Sequence, residues 1–164
     1  MSKLKYKKEI DGLRSIAVIS VILYHSQINL WNNQYLEGGF IGVDIFFTIS
    51  GYLISSLIFI EINNTKKFSF KNFYIKRIKR ILPAFLVVTI TTSFYAYKIL
   101  LPIEYVQYIK SLLLSSIFLS NYFFYFSNIT YGVETAFHIP LLHTWTLSVE
   151  EQFYIIFPLF SFFA

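Results

Sequence analysis

The stretch FIGVDIFFTISGYLISSLIFIEI, residues 40–62, decides the fold class. Asp44 and Glu61 are its only charged residues. At about 1.5 Å per residue, a helix of this length crosses a hydrocarbon core of ~30 Å. Polar side chains inside such a span, here Asp44 and Ser50, are expected to face protein or a cavity, because lipid offers them no partner. The Ser50-Gly51 step admits two readings: close packing of a second helix, or a ligand brought near the backbone.

The rest of the chain has the same character. Hydrophobic residues make up 55% of the 164, aromatics 21% and charged residues 14%. A soluble domain carries about a quarter charged residues, so this chain has too little polar surface to stay in water. The expected fold is an all-α membrane protein, a polytopic bundle of transmembrane helices. With no cysteine, disulfides, thiolate catalysis and cysteine-bound metal are excluded. The net charge of +5 does not point to nucleic acid, because its distribution is wrong. Twelve of the fourteen Lys and Arg fall in residues 3–14 and 66–80, each beside an apolar run. That is the pattern of cytoplasmic flanks, and it puts the N-terminus in the cytoplasm.

Working outward from residues 40–62, a first span is expected over 15–31, with Trp31 as an outer-interface anchor. No small-residue cleavage signature follows it. Between 68 and 82 apolar and basic residues interleave, which suggests an amphipathic helix at the inner surface. Pro83 then suits the first turn of a span over 83–101. Residues 111–126 are apolar enough to span, yet no Lys or Arg occurs from Ser111 to Ala164, which favours an external placement. A re-entrant segment reconciles the two. A last helix is expected from about Thr146, with a span over 147–164 that is still apolar where the chain ends, as in a truncated protein or one lacking the partners that cover that face.

Besides the Ser50-Gly51 step, three constellations can carry chemistry. His25 lies eleven residues after Arg14, almost three turns, so both share one helix face about 16 Å apart. It is either a solvated interface histidine or an intramembrane general base. Arg77 and Arg80 are three apart and point to one side; two guanidinium forks suit a phosphate-rich ligand or anionic lipid headgroups. Glu150 and Tyr154 are four apart on one face, and Ser148 is placed to cap the helix start. His138 and His143 are five apart, a poor helical metal spacing, and no metal is assigned.

In their order these motifs resemble a known family. Glu9-Ile10-Asp11-Gly12-Leu13-Arg14, His25, the Phe46-Phe47-x-x-Ser50-Gly51-Tyr52-Leu53 run, Arg77-x-x-Arg80 before Pro83, and Thr144-Trp145-Thr146-Leu147-Ser148-Val149-Glu150-Glu151-Gln152-Phe153-Tyr154 are similar to the acyltransferase-3 family of integral-membrane O-acyltransferases. The resemblance implies about the first half of a roughly ten-helix domain in the bacterial inner membrane. It also implies transfer of an acyl group, acetyl above all, from cytoplasmic acyl-CoA to a hydroxyl of a cell-surface glycan or related acceptor. The partners it implies are acyl-CoA, that acceptor and membrane lipid, with no nucleic acid and no metal.

By the same resemblance, His25 matches the essential histidine and Arg14 its basic companion. Arg77 and Arg80 match the arginine pair that holds coenzyme A phosphates. Ser148, Glu150 and Tyr154 match a Ser-x-Glu-x-x-x-Tyr pattern tied to activity, with Glu150 expected to orient the imidazole and Ser50 to support the site. Lys76 and Lys79 stand where many relatives carry Arg; they keep the charge but lose the fork, so neither is counted as a donor ligand. His25 serves either as a base for direct transfer or as an acyl carrier. Two rivals make other predictions. A transporter or flippase of lipid-linked sugars moves its cargo without consuming coenzyme A, and a non-catalytic assembly subunit tolerates loss of His25 and Glu150.

Overall fold

In the computed structural model of the chain, the structure describes residues 7–26, 29–30, 33–34, 37–127 and 139–163. Trp31 and His138 lie outside these residues. The described chain is helical apart from one pair of two-residue strands, and it divides into two compact units.

The first unit takes residues 1–68 and 157–164. Helix α1, Lys8–His25, opens with Glu9 and Asp11 in its first turn, where carboxylates complement the helix dipole. It ends at His25, short of the span expected over 15–31. Beyond it Asn29–Leu30 (β1) pairs antiparallel with Asn33–Gln34 (β2). Asparagines at 29, 32 and 33 favour turns over continued helix. A 3-10 turn, Glu37–Phe40, leads into α2, Ile41–Thr65. Helix α2 stops at Lys66, whose φ of 55° is left-handed while its N–H closes on Ile62 O at 2.8 Å.

Helices α1 and α2 pack closely because of two glycines. A Cβ on Gly42 would collide with the Ala17 carbonyl, and one on Gly39 with the Ser20 carbonyl. Ala17, Ile54 and Ile58 are buried. Gly51 has open space where its Cβ would be, so the close approach read from Ser50-Gly51 occurs instead nearer the start of α2. Thr48 and Ser55 donate to the Asp44 and Gly51 carbonyls one turn back, each at 2.8 Å, which satisfies them inside the helix.

The second unit takes residues 69–156. Helix α3, Phe70–Ile99, runs unbroken through Pro83, so the amphipathic segment over 68–82 and the span over 83–101 form one helix. The proline removes one backbone bond without ending the helix, because well-formed turns on both sides hold it. Val87, Ile90, Phe94 and Tyr97 form an outward apolar stripe, all more than half exposed. In water this surface would cost about 25 cal/mol per Å²; in lipid it costs nothing. Gly38–Thr65 and Phe70–Ile99 are the two segments among the described residues long and apolar enough to cross a membrane. Their length and composition suit a helical membrane protein.

The part of helix α6 (Thr144–Phe163) that lies in this unit runs antiparallel to α3. Arg77, early in α3, stacks on Tyr154, while Ala96, late in α3, packs with Leu141 just before α6. Between them lie α4, Pro102–Ser116, and α5, Ser120–Phe126. Residues 111–126 are therefore a broken hairpin and not one helix. The break falls at Phe118, with φ 57°. Tyr108 on α4 packs by Ala96 and Leu141, Phe118 reaches Gln152, and Phe124 on α5 returns to Leu142. Both ends of the hairpin thus lie at the same end of the α3–α6 pair.

Candidate active site

Arg14, His25 and Ser50 fall in the first unit. Helix α1 is continuous from Arg14 to His25, so the eleven-residue spacing acts through one rigid element. The Arg14 guanidinium lies over the Phe46 ring at 5.3 Å, a cation–π pairing that suits a cation flanked by apolar surface. His25 is exposed at the last turn of α1, its ring edge-on to Tyr24 at 5.2 Å. Ser50 is buried. At the other end of this unit Lys7 Nζ donates to Tyr52 Oη at 3.1 Å, and this bond raises the ammonium pKa above its ordinary value.

Arg77, Arg80, Ser148, Glu150 and Tyr154 fall in the second unit, where the structure brings three of them together. Arg77 is half-buried between two rings, 5.7 Å from the Phe73 centroid and 4.5 Å from that of Tyr154. Tyr154 is buried, and its hydroxyl donates to Glu150 Oε2 at 3.1 Å, as their spacing of four allows. Tyr74 reaches the same turn with its hydroxyl 3.4 Å from the Tyr154 carbonyl. The result is a chain from carboxylate to phenol to guanidinium across α6 and α3. Arg80, one turn on, is exposed and lines a separate cleft of about 350 Å³ with His143, Thr146 and the Phe85 ring. The two guanidinium groups therefore meet different surroundings.

Ser148 does not cap α6, which starts at Thr144 and places residue 148 in its second turn. Ser148 is buried and shares a hydrogen bond of 2.7 Å with Ser120 on α5. The same buried seam joins Ser115 to Thr144 at 2.8 Å and Thr144 to Ser120 at 3.1 Å. Small hydroxyl residues let the helices approach closely and satisfy one another where water is absent.

The profile of the acyltransferase-3 family, an acyltransferase domain, matches residues 7–164. The chain belongs to this family. One relative from Staphylococcus aureus (strain MSSA476), named "Putative O-acetyltransferase SAS0844", is 41% identical over 157 residues, which is 95% of this chain and 25% of the relative. The relative named O-acetyltransferase OatA, from Staphylococcus aureus (strain NCTC 8325 / PS 47), is 40% identical over 157 residues, 94% of this chain and 24% of the relative. The chain thus spans about a quarter of the length of the curated relatives it matches. No solved structure matches it.

For this acyltransferase domain, three features escaped the reading of the sequence. Glu151, not Glu150, is the more deeply buried carboxylate, and among the described residues its Oε1 has no hydrogen-bond partner. Gln152 and Asn121 exchange two hydrogen bonds, at 2.9 and 3.2 Å, and Gln152 also donates to Phe118 O at 2.7 Å, tying down the break between α4 and α5. The stacking of Arg77 on Tyr154 has no local signal, since 77 residues separate them. Serines recurring through residues 111–120 of an apolar run were the available sign of the buried seam.

Proposed function

We propose that this acyltransferase domain carries out O-acetyl transfer, taking the acyl group from acyl-CoA on the cytoplasmic side to a hydroxyl of a surface glycan. The observation that carries this reading is its 41% identity, over nearly the whole chain, to a relative named as an O-acetyltransferase. The basic flanks support the cytoplasmic donor side, because Lys and Arg favour that face.

Arg77 and Arg80 anchor the coenzyme A phosphates. Glu150 and Tyr154 act as positioning residues: the carboxylate fixes the phenol, and the phenol ring fixes Arg77. Ser148 supports this turn of α6 through its buried bond to Ser120. His25 is the general base, with Arg14 on the same helix as its basic companion and Ser50 as support from α2. A ring nitrogen takes the proton of the acceptor hydroxyl as its oxygen attacks the thioester carbonyl. The carbon–oxygen bond forms, the carbon–sulfur bond breaks, and the imidazolium returns the proton to the leaving thiolate.

The test is release of free thiol from acetyl-CoA in membrane vesicles carrying the full chain. Release that disappears with His25→Ala supports the reading. Acceptor movement without thiol release favours a transporter instead, and unchanged release in His25→Ala removes the base.

A further inference from the structure

At the end of the second unit remote from Arg77, a cleft of about 480 Å³ lies between the start of α4, the end of α5 and the residues leading into α6. That volume is in the range of small-molecule sites, about 300–1,000 Å³. Glu104, Gln107 and Ser127 line it with polar groups, Tyr108 and Phe123 with aromatic surface. Several of these groups already have fixed tasks. The Tyr108 hydroxyl bonds Ser93 at 2.6 Å, and Glu104 Oε2 accepts the Leu101 N–H at 2.9 Å. Glu104 and Gln107 are both exposed and three apart on α4, so their heads project to one side.

We propose that this cleft seats the hydroxyl-bearing acceptor as a neutral sugar ring, an assignment that rests on the acetyl-transfer reading above. An amide beside a carboxylate both donates to and accepts from adjacent hydroxyls, and an aromatic wall covers the apolar face of a ring. Among the described residues no Lys or Arg lines the cleft, which makes it a poor match for coenzyme A or an anionic headgroup. Its position fits as well. Arg77 and Ile99 are 22 residues apart on α3, about 33 Å at 1.5 Å per residue, which matches a ~30 Å hydrocarbon core. The hairpin ends and the cleft therefore share the face opposite the basic flank.

The experiment uses the detergent-solubilised full chain and fluorescently labelled cellotetraose and chitotetraose as probes. The wild type is expected to bind at least one, and Gln107→Ala and Glu104→Gln each to raise its Kd about tenfold, the size of one lost hydrogen bond. Glu104→Gln keeps an acceptor for the Leu101 N–H, so α4 stays capped. Binding of neither probe by the wild type, or Kd values within about twofold in both variants, overturns the proposal. Thiol release is measured on the same preparations. Sugar binding that responds to both substitutions without any thiol release counts against acetyl transfer and leaves the sugar site standing.

Discussion

The Arg77 guanidinium lies 4.5 Å from the centre of the Tyr154 ring, although the two residues belong to helices at opposite ends of the second unit's sequence. The Tyr154 hydroxyl donates to Glu150 at 3.1 Å. An arginine held this way loses little freedom when it meets a phosphate, because its stem and plane are already ordered.

That arrangement separates two substitutions of Tyr154. Phe keeps the ring under Arg77 and loses the bond to Glu150; Leu loses both. The half-saturating acetyl-CoA concentration is expected to rise a few-fold for Tyr154→Phe and about tenfold or more for Tyr154→Leu, the span of a desolvated cation–π pair. Steady-state thiol release checks the order. Equal effects would mean the ring does not hold the guanidinium.

Arg77 and Arg80 differ in surroundings, so their losses should differ too. Arg77→Gln removes a half-buried group from an aromatic slot and is expected to weaken donor binding more than Arg80→Gln, whose parent side chain is exposed. The double variant should bind donor worst while acceptor half-saturation stays the same. Equal donor affinity in wild type and double variant would reject the phosphate-anchor role.

Within the first unit, two glycines make opposite predictions. Gly42→Ala forces a methyl against the Ala17 carbonyl and is expected to cost about 1–3 kcal/mol, as overpacking does. Gly51→Ala meets open space and should gain up to about 0.5–1 kcal/mol from helix preference. Thermal unfolding of the solubilised full chain gives the sign of each. A neutral Gly42→Ala would mean α1 and α2 are less tightly packed than described.

Gln152 holds the break between α4 and α5. Replacing it with Leu removes part-buried hydrogen bonds to Phe118 O and the Asn121 amide, each worth about 0.5–1.5 kcal/mol. Hydrogen exchange of the amides at residues 117–121 should speed up, and adding Asn121→Leu should cost less than the sum of the two. Additive losses would contradict a shared network.

Much of this was legible in the sequence, and the reasons are physical. Long apolar runs with basic flanks give helices that suit lipid, hence the ready reading of α2 and α3. Arg14 and His25 share α1 because helical period alone fixes them. The boundaries failed where a local rule met tertiary packing. Pro83 marks a helix start in isolation, yet neighbouring turns carry it inside α3. The apolar run over 111–126 hides a left-handed residue at Phe118, which closes α4 with the Phe118 N–H on Ser115 O and the Leu119 N–H on Leu114 O and is further held by Gln152. Ser148 looked like a cap because serine prefers that place, but buried partners on α5 claim its hydroxyl. Nothing local could couple Arg77 to Tyr154, since that pairing depends on the antiparallel course of α3 and α6.

The most direct test of acyl transfer from the cytoplasmic face is sidedness. Acetyl-CoA is supplied to sealed inverted vesicles and to sealed right-side-out vesicles carrying the full chain, and free thiol is followed in both. The account predicts release only from inverted vesicles, lost in His25→Ala and weakened in the Arg77→Gln, Arg80→Gln double variant. Equal release from both orientations, or release only from right-side-out vesicles, would contradict it.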